Sequence, residues 1–306
     1  MISLLFNIYK KYQLTELYKI QCYLLATWRF SWFQRNYKKM RDIDYYEARK
    51  LISEIKARGS YTEQIAYNFC DNYADLDDHI FFDDNRKLYY GRGVETDNRM
   101  LFFPKKLDIN EIRKLYKSLC YEQDVDSPHR YLSDSVQIEP KDTVIDVGSA
   151  DGNFILSIIE NIKEAYLFEC DDNWIEALQS TFEPWKDKIH IINKYVCDYD
   201  DENHISLDSF INDTLSDDSD IIVKMDIEGA EMDALKGLNE SLNNKKIKAA
   251  LICAYHNQED ERNIRNYVVK TGYFIQPSVG YITKFAELFS KKPYIRRGVL
   301  RIIREQ

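Results

Sequence analysis

The sequence predicts an α/β protein: a doubly wound, mostly parallel sheet with an antiparallel edge strand, preceded by a helical and small-β region. Three observations predict it. After Pro140 the chain repeats an apolar run, a Gly-bearing turn and a helical stretch, which is the alternation of β-α units around a parallel sheet. Two of the runs, Ile221 to Asp226 and Ala249 to Ala254, are almost continuously apolar, as central strands covered on both faces should be. Finally, Val144-Ile-Asp-Val-Gly-Ser-Ala-Asp-Gly152 runs from an apolar strand through two glycines into a helix at Asn153, the turn at which a doubly wound sheet meets its ligand.

From Ile2 to about Arg58 there is no Gly or Pro, and apolar residues recur at helical spacing (Leu14, Leu17, Tyr18, Ile20, Leu24), so two or three helices are expected before Gly59. Between His79 and Pro104, short aromatic runs separated by Asp-Asp-Asn-Arg and Gly-Arg-Gly predict a hairpin or three-stranded meander. Asp108 to about Glu122 reads as an amphipathic helix with Ile109, Ile112, Leu115 and Leu119 on one face. Further strands are expected at Thr143 to Val147, Ala165 to Glu169 and Ile189 to Asn193, then, after a helix from Glu259 to Lys270, at Tyr273 to Gln276 and Gly298 to Ile303. The change of texture places a domain boundary near residue 124, with residues 1–124 as an accessory region and 125–306 as the main domain.

With 306 residues, 44% hydrophobic and 30% charged, the chain is too apolar for wholesale disorder. Its net charge of −9 argues against a protein that binds nucleic acid through a general positive field. The charge is uneven. Residues 1–60 carry seven Lys, five Arg and five acids, net +7, leaving −16 from Tyr61 onward. In this stretch aromatics from Phe6 to Tyr37 interleave with Lys10, Lys11, Lys19, Arg29, Arg35, Lys38 and Lys39. Interfacial helices in peripheral contact with a membrane have this composition; so do core-packed helices with a solvated basic face, and a partner or oligomer surface is the third reading. The acidic segments Asp198 to Glu202 and Asp217, Asp218 and Asp220 read as solvated loops. Six scattered cysteines without a C-x-x-C pair suggest reduced thiols in a cytosol. The N-terminus lacks the features of a signal peptide, and no run approaches the ~20 apolar residues of a membrane span. A cytoplasmic protein, with contact to the inner face of the membrane through residues 1–60 as the further option, is the expectation.

The glycine turn narrows the ligand. A dinucleotide fingerprint cradles pyrophosphate with G-x-G-x-x-G, whereas this turn reads D-x-G-x-x-x-G, setting Asp146 and Asp151 where phosphate would be repelled. A cationic ligand fits better, and S-adenosylmethionine carries a sulfonium and an ammonium. Glu169 closes the next strand, 23 residues beyond Asp146, near the offset at which an acid accepts ribose hydroxyls; alone it could equally cap the helix from Asp171 to Ser180. The expected cofactor-binding set is Asp146, Gly148, Ser149, Asp151, Gly152, Asn153, Glu169, Cys170 beside the adenine, and Asp198.

These segments, VIDVGSADGNF, then LFE, then ISLDSFI at Ile205 to Ile211, then IIVKMDIEGAEMDALKG at Ile221 to Gly237, resemble the FkbM-type S-adenosylmethionine-dependent methyltransferases over about residues 125–306. The resemblance implies a class I methyltransferase fold, methyl transfer usually to a hydroxyl, and frequently a sugar or glycan as acceptor. The family often shows G-A-N-x-G at the first turn. Here Ser149, Ala150 and Asp151 stand between the glycines, and Asp151 is the candidate partner of the methionine ammonium.

Methylating a hydroxyl needs an aligned nucleophile and a base for its proton. Asp226 and Glu228 end the fourth strand and His256 follows the fifth, so His256 is the expected general base, with Asp226 or Glu228 orienting it or the substrate. His256 as a cap for the helix near Gln258 is the structural alternative. Acids at these strand ends also suit Mg²⁺, which acidifies hydroxyls in some enzymes; the fifth strand ends in Tyr-His rather than a second carboxylate, which weighs against a metal. His129 and Tyr131, in Asp126-Ser-Pro-His-Arg-Tyr131, would pass over the carboxyl edge of the sheet as substrate or cofactor contacts or as plain loop. Lys224, alternately placed near Asp226 on the strand, reads as pairing with an acid on the adjoining face. Competing functions are methylation of a small molecule or a nitrogen, and a catalytically silent module of a glycan-assembly complex; a nicotinamide dehydrogenase lacks the required glycine spacing.

Overall fold

The computed structural model describes residues 15–93, 96, 99–216 and 219–305. The aromatic and basic residues before Thr15, and the acids Asp217 and Asp218, lie outside the described residues. The chain divides into two compact units, one of residues up to Asn68 with Gly280–Arg296, the other of Phe69–Val279 with the chain from Arg297 onward. Segment 69–124, read from sequence with the N-terminal region, thus falls in the second unit. Packing explains why: Leu101, Phe103, Ile112, Tyr116 and Leu119 are buried in one cluster with Val144, Phe154, Ile155 and Leu178.

Among its described residues the first unit holds the α-helices Thr15–Asn36 and Tyr45–Arg58 and a two-stranded ribbon of Ile282–Thr283 with Ile295–Arg296. Asp44 caps the second helix by accepting from the Tyr46 and Glu47 amides, and Gly59 ends it at φ 68°, a left-handed conformation that costs glycine little. The long helix buries Ala26, Phe30 and Phe33 on one face.

In the second unit, a meander of Phe81–Asp83, Leu88–Arg92 and Met100–Phe102 and the helix Ile109–Glu122, closed by an Asp108–Glu111 capping box, precede a seven-stranded sheet. From one edge its order is Phe274–Pro277, Val299–Ile303, Ile247–Cys253, Ile221–Met225, Thr143–Val147, Glu164–Phe168 and Ile189–Ile192. Side chains alternate between faces. Val144, Ala165, Leu167, Ile222 and Leu251 face the helices Ile109–Glu122, Asn153–Ile158 and Asp172–Phe182. Ile145, Tyr166, Phe168, Val223 and Ile252 face the helices Leu207–Thr214, Glu231–Lys236 and Asp260–Val268.

The mostly parallel doubly wound sheet is the expected one. The two final strands form the antiparallel edge, with Val299–Ile303 paired antiparallel both to Ile247–Cys253 and to the outermost strand Phe274–Pro277. Val299, Leu300, Arg301 and Ile302 are buried, suiting a strand with a neighbour on each side. Phe274–Pro277 is more exposed and ends in proline, which suits an edge. A short parallel ribbon, Tyr195–Cys197 with His204–Ser206, is not foreseen because three residues are too few to show a period. No disulfide joins the cysteines.

Candidate active site

Strand order reverses between Ile221–Met225 and Thr143–Val147, and a cavity of about 500 Å³ opens at their carboxyl ends, the place and size for a ligand in this architecture. Gly148 makes the junction. Its amide and that of Ser149 both donate to Phe168 O, at 3.0 and 3.1 Å, while the Asp226 amide donates to Val147 O at 3.0 Å. Gly148 has φ 75°, and a Cβ there would stand 2.0 Å from Asp226 O, so the turn and the fourth strand approach as only glycine permits.

Of the residues read as cofactor-binding, Gly148, Ser149, Asp151, Asn153, Glu169 and Cys170 line this cavity. Glu169 ties the strand end to the turn, accepting from the Ala150 amide at 2.9 Å through one oxygen and from the Asp171 amide at 2.8 Å through the other. Capping of the next helix falls instead to Asp171, which accepts from the Asn173 amide at 2.9 Å. Asp151 accepts from the Asn153 amide at 2.7 Å, and burial pushes its carboxyl up to about 6.

The remaining three lie elsewhere. Asp146 is fully buried behind the turn, its carboxylate 2.9 Å from the Lys224 ammonium, because strand alternation puts it on the face opposite Val147, beside its register partner Lys224. Lys224 also donates to Gly148 O at 2.6 Å, so the pair braces the glycine turn. Although burial opposes its charge, Asp146 and Asp226 hold Lys224 well above the usual lysine value. Gly152 has φ 77°, and a Cβ there would press on Leu178 and Phe182; it seats the helix. Asp198 is exposed on the loop after Tyr195–Cys197 and does not line the cavity.

Asp226, at the end of the fourth strand, collects the polar groups. Tyr131 donates its hydroxyl to Asp226 at 2.6 Å. His129 Nε2 lies 3.6 Å and His256 Nε2 3.4 Å from the same carboxylate. Burial works against its charge, yet His129, Lys224 and His256 hold Asp226 below the ordinary aspartate value. Glu228 is exposed, with φ 54° and a carboxylate 3.7 Å from His256 Nε2. Tyr131, Asp226 and Glu228 line the cavity, whereas His129 and His256 stand behind them. His256 does not cap the following helix, whose N-cap is Glu259.

Sequence reasoning misses Glu231. This carboxylate is almost completely buried, accepts from the Ile227 amide at 3.0 Å and lies 2.8 Å from His256 Nδ1. Burial tends to lower His256, but Glu231, Asp226 and Glu228 together raise it above 6.5. The available signal is the acid itself: Asp226-Ile-Glu-Gly-Ala-Glu231 leads into a helix whose Ala234 and Leu235 are buried, and a glutamate at such a position needs a partner. The cavity's aromatic side, Trp174 and Tyr195, is also missed, since neither stands in a motif. Donor atoms of Asp226, Glu231 and His256 lie within 4.8 Å of one another, but Glu231 is engaged by the imidazole and the loop amide.

Residues 146–282 match the family model of the methyltransferase FkbM domain. Over these residues, a little under half of the chain, it is thus similar to an FkbM-type methyltransferase domain. No curated protein matches it. Among solved structures it is similar to methyltransferase FkbM from Methylobacillus flagellatus KT, at 16% identity and TM-score 0.44 over 86% of this chain and 63% of that one. This chain thus spans less than two thirds of that protein's length. It is also similar to the METTL16 methyltransferase domain, at 12% identity and TM-score 0.42 over 84% of this chain and 98% of that one. A third likeness, at 16% identity and TM-score 0.38 over 57% of this chain and 70% of that one, is to M. capricolum TrmK, solved with S-adenosylhomocysteine.

Proposed function

We propose that this FkbM-type domain transfers a methyl group from S-adenosylmethionine to a hydroxyl, on a sugar of a polysaccharide or other glycoconjugate, with His256 as general base. One observation carries the donor part. The cavity is lined by six carboxylates, Glu122, Asp151, Glu169, Asp171, Asp226 and Glu228, against two ammonium groups, Lys194 and Lys224, and Lys224 is already paired with Asp146. Such a lining favours a cation and repels a diphosphate. The residues present fit the donor: Glu169 has oxygen lone pairs beyond those used by its two amides for ribose hydroxyls, Asp151 suits an ammonium, and Trp174 and Tyr195 offer aromatic faces. When bound, S-adenosylmethionine supplies an electrophilic methyl group.

The chain's own residues supply the proton chemistry. With its Nδ1 proton held by Glu231, the imidazole presents a basic Nε2 toward Asp226 and Glu228. Because His256 stands behind the cavity wall, the proton of a hydroxyl docked against these carboxylates would reach Nε2 by way of the Asp226 carboxylate, 3.4 Å from it. Asp226, kept ionised, orients the hydroxyl and stabilises the imidazolium that forms. The hydroxyl and the glycan rest on the family likeness, and the test is mass spectrometry of surface glycans from cells with and without the intact gene. A methyl-sized mass loss supports the acceptor; unchanged glycans sink it.

The titrating groups set the pH behaviour. A raised His256 means that turnover climbs as pH rises through a value above 6.5, because only the neutral imidazole accepts a proton. Glu231→Gln keeps an acceptor for the Ile227 amide but removes the charge that raises His256, so the acid limb of the pH–rate profile should move down; an unmoved limb would separate Glu231 from the base. Asp151 titrates near 6. Donor affinity should therefore weaken as pH falls through about 6, and Asp151→Asn should abolish that dependence in calorimetric titrations from pH ~5 to ~8. Chelator should leave turnover unchanged, since no step in this reading uses Mg²⁺.

A further inference from the structure

Charge is divided between the two compact units far more sharply than the overall −9 suggests. Met1–Asn68 with Gly280–Arg296 contains sixteen Lys and Arg against seven Asp and Glu, net +9, so the remainder carries −18. The basic unit also exposes large apolar side chains. Ile20, Leu24 and Trp28, at helical spacing on the face away from buried Ala26, Phe30 and Phe33, are 52%, 61% and 56% exposed. In the same unit Phe289 is 89% and Leu288 51% exposed. The loop that carries them is not slack. Arg29 donates to the carbonyl oxygens of Phe285, Glu287 and Leu288, which fixes the backbone just before Phe289. Exposed Lys291 and Lys292 follow immediately, the latter 4.5 Å above the Trp32 ring.

From these features we infer that this unit is a peripheral docking surface for a bilayer bearing anionic headgroups. The apolar side chains enter the headgroup boundary, and the net positive unit is drawn to the negative surface. Two contributions of this kind are what stable anchoring without a spanning segment takes, and no described helix is long and apolar enough to cross a membrane. Residues 1–60 alone suggested such a contact from their sequence. The Leu288–Phe289 tip, more than 200 residues away along the chain, is contributed by the fold. A nucleic acid would use the same cations but has no use for the aliphatic stripe, and a second copy of this unit would bring another +9 against it.

The test is co-flotation of the full chain with vesicles of phosphatidylcholine alone or containing phosphatidylglycerol. It is independent of the donor site, so the result does not depend on the methyltransferase reading. Flotation is expected only with the anionic vesicles, falling at least about tenfold at ~1 M salt, where screening shortens to roughly 3 Å. The exposed-site variants Leu24→Asp with Phe289→Asp, and separately Lys291→Glu with Lys292→Glu, should each reduce it by about tenfold or more, with melting temperatures unchanged. Absence of flotation by the unaltered chain overturns the inference. So does flotation that survives the Leu24→Asp and Phe289→Asp pair. Equally contrary would be a dimer in sedimentation that those substitutions dissolve while vesicles remain unbound, or RNA binding that competes with vesicles and ignores the apolar changes.

Discussion

Replacing His256 with alanine should lower methyl transfer by about 10²- to 10⁴-fold, the range for loss of a positioned general base, while leaving donor affinity intact. The separation follows from where the residue sits. His256 stands behind Asp226 and Glu228 and does not line the cavity, so its loss should remove the proton acceptor without removing a donor contact. The buried side chain is held through Nδ1 by Glu231 at 2.8 Å, and Asp226 and Glu228 lie 3.4 and 3.7 Å from Nε2. Radiolabelled transfer onto glycan extract, beside calorimetry with the donor, measures both quantities. Near wild-type transfer with intact donor binding would remove the base assignment and leave the cofactor site standing. Loss of activity in His256→Ala combined with an ordinary pH profile in Glu231→Gln would instead keep the base and discard its positioning partner.

Gly148→Ala should be the most damaging single-methyl change in the domain. The added carbon would lie 2.0 Å from Asp226 O, a backbone atom that cannot swing aside, and the φ of 75° is itself unfavourable for alanine. The left-handed conformation costs ~1–2 kcal/mol by itself. Separating two hydrogen-bonded strand ends adds more, so a total above ~4 kcal/mol is expected, with a large drop in melting temperature and no donor binding. Gly152→Ala should be milder, since its Cβ would meet the ends of Leu178 and Phe182 side chains, which can shift. A Gly148→Ala protein that melts and binds like the parent would mean that the turn is not pinned against the fourth strand.

Much of this architecture was legible because its signals are local. Alternation of apolar runs with glycine turns gave the sheet, Val144 to Gly152 gave the switch point, and Glu169 stands at the cavity as its strand-end position implied. Asp146 shows the limit of the motif. It was read as a ligand contact, but the pleat turns it toward Lys224, whereas Asp151, Glu169 and Asp226 line the cavity. Asp198 was an acid near the right strand end, and nothing in its neighbourhood could say that the loop carries it into solvent. Glu231 lies inside the Asp226-Ile-Glu-Gly-Ala-Glu231 run, which does not say what the acid meets, and the cavity aromatics Trp174 and Tyr195 belong to no motif; only three-dimensional packing sets Glu231 beside His256 and the aromatics at the cavity. What helix Ile109–Glu122 packs against was not legible, because amphipathicity states that a face is covered and not by what.

Isothermal titration of S-adenosylmethionine into the unaltered chain and into Glu169→Gln is the most direct test of the anionic cavity. One site per chain is expected, with affinity falling about 10- to 100-fold in the variant, the cost of a lost charge-assisted hydrogen bond of ~1.5–3 kcal/mol, and with no binding of a nicotinamide dinucleotide. No heat from the unaltered chain, equal affinity in Glu169→Gln, or preferential binding of the diphosphate would contradict it.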